Sequence, residues 1–473
     1  MILDHLEPKK VFRYFEEICS IPHGSYHTDK IANYIVGFAK NHKLEYIKDS
    51  YNNVVIKKNA SENYTGNSTV IIQGHLDMVC AKDDSTDIDF ENQGIDIEYD
   101  DEYIFAKGTT LGGDDGIAVA MALAVLDSDN IIHPNLECVF TTDEEVGMLG
   151  ANAMDMSSLK GKYMLNIDSE DEGQFTVSCA GGETLVVEME KENSAKNYSH
   201  SIQIAVNGLM GGHSGVEIDK GRANAIILMG KILGDIHKKT DIQLVSIDGG
   251  QKDNAIPFEC YATINTNDAA TVQRVVDDCR AKIENEYSNV EENLNIFTKH
   301  VDFKAGFDNG VIPFLARVNN GVRAMSKDIS GLVQTSSNLG IIRTEDTKIV
   351  ITFSLRSSVD AQKHALHNEI ENLAKNCNAK LYAFGDYPAW EYKKNSRLQE
   401  LCESVYYRQY GTEPEIVAIH AGLECGIFCS KLKGLDCISF GPNLLDIHTS
   451  KERMEIASVG RVYQFLIHLL MKI

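Results

Sequence analysis

The stretch IIQGHLDMVC, residues 71–80, carries an imidazole and a carboxylate two positions apart within an apolar run. Residues i and i+2 of a β-strand project from the same face, so His75 and Asp77 would point in the same direction. Such a pair lies either on a solvated face or in a functional site. Because histidine and carboxylate side chains bind metals and transfer protons, metal binding and acid–base catalysis are the chemistries to consider.

Four further segments carry the same residue types. Taken singly, each has an ordinary structural explanation: a lone histidine is more often a core or surface residue, acids before a helix can cap it, and adjacent glutamates can form a solvated charge run. Five such segments, each expected at a strand end of one sheet, favour a joint site. Two histidines with several carboxylates and no cysteine form the ligand set expected for zinc, manganese or cobalt in a hydrolytic site. The four segments are GGDDG with Asp114 and Asp115, TTDEEVG with Glu144 and Glu145, NIDSE with Asp168, and DIHT with His448.

Apolar spacing predicts the elements that must position these residues. Helical spacing occurs in VFRYFEEICSI, IANYIVGFAKNH and GIAVAMALAVLDS, whereas STVIIQGHLDMV, NLECVFTTDEE, KYMLNIDSE and LDCISFGPN are typical of strands. A final helix begins near Ile456, because apolar residues recur there at i, i+3 and i+4. The alternation predicts an α/β fold with a mostly parallel sheet and flanking helices. Sites in such sheets form outside the carboxyl ends of the strands.

The middle of the chain, residues 183–387, differs in pattern. It contains two stretches with similar sets of predicted strands and helices, so the segment is expected to hold two similar α/β units. The second stretch includes a predicted helix in PFLARVNNGVRAM and a strand in KIVITFSLRSS. The simplest architecture is a discontinuous first domain, residues 1–182 and 388–473, with an α/β domain inserted in its middle.

Composition excludes several classes of function. The chain has 473 residues, and its 45 Lys and Arg against 69 Asp and Glu give a net charge of −24, which argues against nucleic-acid or anionic-membrane partners. The opening MILDHLEPKKVFRYF lacks the pattern of a signal peptide, and no apolar run of about 18 residues occurs. The 11 cysteines are scattered without a CxxC pair. A cytoplasmic protein with reduced thiols is therefore expected.

The motifs GHLDMV, GGDDG, TTDEEVGMLGA, NIDSE, GGHSG and DIHT, in this order, resemble those of the M20-type di-zinc metallopeptidases. Within that family SCAGGE, GLMGGHSGVEI, GRANAI, NAIP and HAGLECG are similar to the aminoacyl-histidine dipeptidase branch. The resemblance runs through nearly the whole chain. It implies a zinc-exopeptidase-like catalytic domain and an inserted lid domain that also serves dimerisation.

The resemblance also implies a metal site. His75 and Asp168 would hold one zinc ion and Glu145 and His448 the other, with Mn²⁺ or Co²⁺ as possible substitutes. GGDDG offers two candidate bridging acids, and the family pattern favours Asp114, which a cis peptide often follows, leaving Asp115 as a structural neighbour. Asp77 would orient the His75 imidazole as an acid behind the ligand.

Further roles follow from the same resemblance. Glu144 would be the general base that takes a proton from the water bridging the zinc ions and passes it to the leaving amine. His213, in GGHSG, would stabilise the oxyanion, in many family members across a dimer interface; domain closure would bring it and Arg356 to the metals. Arg356 and Asn254 would bind the terminal carboxylate of the substrate, and Gly422 would line the pocket.

The activity implied is hydrolysis of dipeptides, with Xaa-His substrates such as carnosine as candidates. Small peptides and a second copy of the chain are the expected partners. The alternatives are an M20-type tripeptidase, an N-acyl-amino-acid deacylase and, more remotely, a non-catalytic binding or assembly protein. Nucleophilic catalysis lacks support, because the sequence has no GxSxG motif.

Overall fold

The structure is a computed structural model that describes residues 1–193, 196–308 and 310–473. The chain forms two compact units. The first comprises Met1–Cys179, Tyr392–Ala418 and Leu423–Ile473, and the second comprises Ala180–Glu391 and Ile419–Gly422. The seams lie at 179/180 and 391/392, against the predicted 182/183 and 387/388, and the short segment Ile419–Gly422 joins the second unit.

The helices of the described residues are α1 (Lys9–Cys19), α2 (Asp29–Asn41), α3 (Gly113–Leu126), α4 (Leu149–Ala153), α5 (Ala225–His237), α6 (Ala269–Glu286), α7 (Val311–Leu315), α8 (Asp360–Asn376), α9 (Arg397–Tyr410), α10 (Glu424–Lys431) and α11 (Ile456–Leu470). None of the helices found in the described residues is long and apolar enough to cross a membrane.

The strands are β1 (Glu45–Lys48), β2 (Val54–Lys58), β3 (Thr69–His75), β4 (Ile97–Tyr99), β5 (Tyr103–Ala106), β6 (Asn135–Thr141), β7 (Tyr163–Asn166), β8 (Gln174–Cys179), β9 (Gly181–Glu190), β10 (Glu192–Asn193), β11 (His200–Asn207), β12 (Gly212–His213), β13 (Ile242–Gly249), β14 (Ala255–Ile256), β15 (Cys260–Thr266), β16 (Asn295–His300), β17 (Phe307–Asp308), β18 (Gly321–Met325), β19 (Val333–Thr344), β20 (Lys348–Ser357), β21 (Lys380–Tyr387), β22 (Glu415–Ile419), β23 (Asp436–Ser439), β24 (Leu444–Leu445) and β25 (Arg453–Glu455).

The first unit is built on a sheet of order β1-β2-β6-β3-β7-β23-β8-β22. Its centre is parallel, since β3 pairs with β6 and β7, and β7 pairs with β23. Antiparallel strands flank this centre on both sides. Parallel strands bring their carboxyl ends to one edge, so the loops after β3, β6 and β7 begin side by side.

Helix α3 is apolar on nearly every side, because it packs against both β3 and α1. Its first residues depart from helical geometry: Asp114 has φ −82° and ψ 105°, and Asp115 has φ −118° and ψ 30°. The peptide bond between these two residues is cis. The regular helix therefore begins after Asp115, and the two acids stand at its entrance.

The second unit contains a large antiparallel sheet whose main path is β16-β11-β15-β13-β19-β20-β9-β21. The two stretches of similar style contribute to this one sheet, which is continuous through the pairing of Gly249 with Ile342. Buried apolar residues of α5, α6 and α8 and of the strands form its core. The helix predicted over residues 313–325 is right only for its first residues: α7 ends at Leu315, and Gly321–Met325 is strand β18, because pairing with β19 outweighs a weak helical spacing.

Candidate metal centre

The imidazole of His75 lies at the end of β3 and is 1% exposed. Its Nδ1 donates to the backbone carbonyl of Asp77 at 2.9 Å, which leaves Nε2 to face the site. The strand ends at His75, so Asp77 lies beyond it and the expectation of a shared strand face is wrong. The ladder stops there because the partner strand β6 ends at Thr141, which pairs with His75.

The carboxylate of Asp77 holds the turn that carries the two glutamates. It accepts the backbone N–H of Glu144 at 3.0 Å and that of Glu145 at 3.4 Å, and also the hydroxyl of Ser25 at 2.8 Å. Its Oδ1 lies 3.7 Å from Nδ1 of His75. Asp77 therefore orients the imidazole through its main-chain carbonyl, while its side chain positions the glutamates.

A single carboxylate stands between the two histidines. Asp114 Oδ1 lies 3.0 Å from Nε2 of His75, and Asp114 Oδ2 lies 3.1 Å from Nε2 of His448. A bridging ligand of two metal ions presents its two oxygens in this way. Asp115 instead accepts the backbone N–H of His75 at 3.1 Å and is 1% exposed.

Each imidazole also faces a second acid. Asp168 Oδ1 lies 3.7 Å from Nε2 of His75, and Glu145 Oε1 lies 3.0 Å from Nε2 of His448. The expectation that all five motifs follow strands of the main sheet is only partly right. Asp114 lies in the irregular first turn of α3, and His448 lies in the loop between β24 and β25. We call the seven residues the acid cluster: His75, Asp114, Asp115, Glu144, Glu145, Asp168 and His448.

The donor set of the acid cluster fits divalent cations. Among the described residues, its five carboxyl groups have no lysine or arginine within ion-pair distance, and only the two imidazoles face them. Hydrogen bonds to Asp114 and Glu145 raise the pKa of His448 to about 10. Burial raises the pKa of Asp168 well above its usual range, and repulsion from Asp115 adds to this. A divalent cation that bound to such a site would displace protons from it.

Glu144 stands next to the candidate ligand Glu145, in the turn that follows β6. Burial raises the pKa of the Glu144 carboxyl to about 8. Carboxyl groups with such a pKa are suited to accepting and returning a proton near neutral pH.

Two buried glutamates near the cluster were missed by the sequence reasoning. Glu424 is 0% exposed and accepts from Gln73 Nε2 at 2.5 Å and from Thr141 Oγ1 at 2.6 Å. Glu452 is 3% exposed and accepts backbone N–H groups at the entrance of α3. Glu424 lies within the quoted motif HAGLECG, whereas Glu452, four residues after His448, gave no signal beyond its spacing.

The second unit holds the remaining predicted residues. His213 pairs with Ala255, next to Asn254, whose carbonyl accepts the backbone N–H of Ser214 at 2.9 Å. The Nδ1 of His213 accepts from the N–H groups of Gly215 at 3.1 Å and Val216 at 3.3 Å. An accepting Nδ1 requires the proton to be on Nε2, so this imidazole is a neutral hydrogen-bond donor.

Arg356 lies on β20 directly opposite Ser336 of β19. Its Nη1 donates to the hydroxyl of Tyr387 at 3.2 Å, and its buried Nε has no hydrogen-bond partner within residues 1–193, 196–308 and 310–473. The tyrosine ring crosses β9 at Gly182, where a Cβ atom would lie 2.4 Å from the hydroxyl oxygen.

His420 lies close to Arg356 and Ser336. Its Nε2 lies 2.7 Å from the Ser336 hydroxyl, and its buried Nδ1 has no hydrogen-bond partner in the described part of the chain. Burial, followed by the charge of Arg356, lowers the pKa of His420 to about 3 and also lowers the pKa of His213. We call Arg356, His213, His420, Ser336 and Tyr387 the arginine cluster. Gly422 lies two residues beyond His420 in the segment Ile419–Gly422 of the same unit.

Comparisons with known proteins bear on the whole chain. Residues 204–291 match the model of a peptidase dimerisation domain. A cytosol non-specific dipeptidase of Escherichia coli is 35% identical over 479 aligned residues, covering 100% of this chain and 99% of the relative. The crystal structure of aminoacylhistidine dipeptidase from Vibrio alginolyticus matches with a TM-score of 0.94 at 34% identity, covering 100% of this chain and 98% of that one.

An aminopeptidase from Bacillus cereus shares the fold alone, with a TM-score of 0.60 at 15% identity over 99% of both chains. The predicted α/β fold is confirmed by these matches, as is the resemblance stated from the motifs. The 35% identity over full length to the dipeptidase of Escherichia coli shows the family directly. The chain therefore belongs to the M20 family of metallopeptidases, a family of hydrolases.

Proposed function

We propose that this chain is a metal-dependent dipeptidase whose chemistry takes place at the acid cluster. The observation that carries the proposal is the placement of Asp114 between two imidazoles, each with a further acid. The 35% identity over full length to a protein named as a dipeptidase supports the substrate class.

The cluster divides into two ligand groups that share Asp114. His75 and Asp168 would hold one ion, and His448 and Glu145 the other, with zinc as the proposed metal and Mn²⁺ or Co²⁺ as substitutes. When bound, such ions lower the pKa of water and polarise a carbonyl oxygen.

Glu144 is the proposed general base. It would accept a proton from the attacking water and return it to the leaving amine. Asp77 supports this role, because its carboxylate fixes the backbone N–H of Glu144 at 3.0 Å and so limits where the glutamate can point.

The second unit supplies candidate groups for recognition. His213 would donate its Nε2–H to the developing oxyanion, which its neutral tautomer supports. Arg356 would bind the free C-terminal carboxylate, with Asn254 as a second donor and Gly422 lining the pocket. The guanidinium fork suits a carboxylate, and its Nε has no hydrogen-bond partner among the described residues.

Three finer assignments accompany the proposal. Xaa-His dipeptides such as carnosine are the proposed substrates, in keeping with the name of the relative from Vibrio alginolyticus. A homodimer is proposed from the dimerisation-domain match over residues 204–291. Size-exclusion chromatography with light scattering would measure the molar mass in solution. A cytoplasmic location is proposed in keeping with the name of the cytosol dipeptidase of Escherichia coli.

The test is hydrolysis of a substrate panel by metal-free protein and by protein reloaded with zinc, manganese or cobalt. The panel contains carnosine, other dipeptides, a tripeptide and an N-acyl amino acid. We expect reloaded protein to cleave dipeptides best and Glu144→Gln to lose about 10²–10⁴-fold in kcat while retaining its metal. Glu98→Gln, at an exposed position on β4, is the matched control and should keep full activity.

The panel also separates the alternatives. Preference for the tripeptide or the N-acyl amino acid would replace the dipeptidase assignment with one of the other M20 chemistries. A metal-loaded protein that cleaves none of them would favour a binding or assembly role.

A further inference from the structure

The carboxylate of Glu452 holds the backbone that leads into Asp114. Its Oε2 accepts the N–H of Leu111 at 2.7 Å and of Gly112 at 3.1 Å, and its Oε1 accepts the N–H of Gly113 at 2.8 Å and of Asp114 at 3.3 Å. One side chain thus binds four consecutive N–H groups. It is 3% exposed, so water does not compete for these contacts.

Among the described residues, Glu452 is the acceptor given for each of these N–H groups. The first turn of a helix leaves its N–H groups without intrahelical acceptors, and here the turn is irregular at Asp114 and Asp115. Two successive glycines precede Asp114, and one of them, Gly112, has φ 73°. A glycine-rich segment of this kind is flexible unless something fixes its backbone.

Glu452 is four residues beyond His448 in the chain. The same short loop therefore carries one imidazole of the acid cluster and the carboxylate that grips the backbone of Asp114. His448 and Asp114 also meet directly, at 3.1 Å. Asp114 is therefore linked to this loop twice, through its side chain to His448 and through its backbone to Glu452.

We propose that Glu452 is a positioning residue that sets the Asp114 carboxylate in register with His448 and thereby determines metal affinity. The inference rests on the proposed function, since it takes Asp114 and His448 as metal ligands. Glu452 itself does not bind metal, because both of its oxygens are occupied by N–H groups.

Glu137 provides a matched control within the same unit. It is also 3% exposed, and its carboxylate accepts the backbone N–H of Lys160 at 2.9 Å and of Gly161 at 2.9 Å. It lies near the start of β6, whereas the acid cluster lies beyond the end of that strand. Replacing either glutamate by glutamine turns one oxygen into an NH₂ group that faces N–H donors.

The experiment compares Glu452→Gln and Glu137→Gln with the wild type in the full chain. Zn²⁺ and Co²⁺ affinities are measured by competition with a chromophoric chelator, and the visible spectrum of the Co²⁺-loaded protein reports ligand geometry. We expect Glu452→Gln to lose about 10–100-fold in affinity and to change the cobalt spectrum. Glu137→Gln should lower the melting temperature but keep the wild-type affinity and spectrum.

A second variant keeps the test decisive if Glu452→Gln folds poorly. A Cβ atom at Gly113 would lie 3.2 Å from Glu452 Oε1 and 3.0 Å from Leu444 Cδ2, so Gly113→Ala moves the segment away from an intact carboxylate. It should lower metal affinity by a smaller factor than Glu452→Gln.

Wild-type affinity in both Glu452→Gln and Gly113→Ala would overturn the inference and leave the metal site standing. An equal loss of affinity in Glu137→Gln would also overturn it, because general destabilisation would then explain the effect. A wild-type protein that binds neither Zn²⁺ nor Co²⁺ would overturn the proposed function together with the inference.

Discussion

The acid cluster of the first unit and the arginine cluster of the second are both polar and, apart from the exposed His448, buried or half-buried, but they carry opposite charge. In the acid cluster, five carboxyl groups face only two imidazoles among the described residues. In the arginine cluster, the guanidinium of Arg356 contacts a tyrosine hydroxyl, and the neighbouring imidazole of His420 is neutral at physiological pH. Buried charge that the protein does not balance is costly unless a ligand balances it.

The comparison shows how one residue type adopts two states. Histidine is driven towards its charged form beside Asp114, where the pKa of His448 rises to about 10. It is held neutral near Arg356, where burial lowers the pKa of His420 to about 3. The first surroundings suit cations and the second suit an anion such as a carboxylate.

The largest expected effect comes from breaking the centre of the acid cluster. Asp114→Asn leaves a neutral amide between the two imidazoles and removes the charge that both candidate metal groups share. We expect Zn²⁺ affinity to fall by more than about 100-fold, beyond the range for residues that only orient ligands, and peptidase activity to fall to background. Chelator competition and metal analysis of the dialysed protein measure the loss.

Asp115→Asn is the matched control for that change. The amide oxygen can still accept the N–H of His75, so metal affinity should stay within about tenfold of the wild type. If Asp115→Asn lost the metal and Asp114→Asn kept it, the bridging assignment would move to the second acid of GGDDG.

A smaller effect is expected from neutralising the arginine cluster. Arg356→Met removes a charged donor, and a hydrogen bond to a charged group contributes about 1.5–3 kcal/mol, so kcat/KM for a dipeptide should fall by about 10–100-fold, mainly through KM. The corresponding dipeptide amide lacks the carboxylate and should be cleaved equally by variant and wild type.

Arg323→Met tests whether this loss is specific. Arg323 pairs with Glu369 elsewhere in the second unit, at 3.0 Å. Unchanged kinetics are expected for it. An Arg356→Met enzyme that loses as much on the amide as on the free dipeptide would argue against carboxylate recognition.

The sequence predicted the elements around the acid cluster because their apolar spacing is strong and local. It also predicted which motifs supply the acids and imidazoles that the structure brings together. It could not predict that the carboxylate of Asp77 accepts the backbone N–H of Glu144, nor that the carboxylate of Glu452 accepts four N–H groups at the start of α3. The residues in these two contacts are 67 and 341 positions apart in the chain. Such contacts form only when the tertiary fold brings distant segments together, so local sequence patterns do not predict them.

The failures have the same origin. Residues 313–325 were predicted as a helix from local spacing, but the partner strand β19 determines that Gly321–Met325 is extended. Asp77 was placed on a strand face because the apolar run continues past the point where β6 can pair with it. Local pattern therefore predicts an element better than it predicts where the element ends.

The smallest expected effect is on stability and concerns His420. An imidazole that titrates near pH 6.5 when unfolded and near 3 when folded binds protons preferentially in the unfolded state between those values. Its contribution to stability is therefore complete above pH 6.5 and decreases as pH falls through this window. Between pH 7 and pH 5 this group lowers the free energy of unfolding by about 2 kcal/mol.

His420→Gln removes the titrating group while keeping an amide that can bond to the Ser336 hydroxyl. Urea unfolding of variant and wild type at pH 7 and pH 5 isolates the contribution, since all other titrating groups are common to both proteins. We expect the wild type to lose about 2 kcal/mol more than the variant on acidification. An equal loss in the two proteins would mean that His420 titrates normally, which would contradict a pKa lowered by burial and by the charge of Arg356.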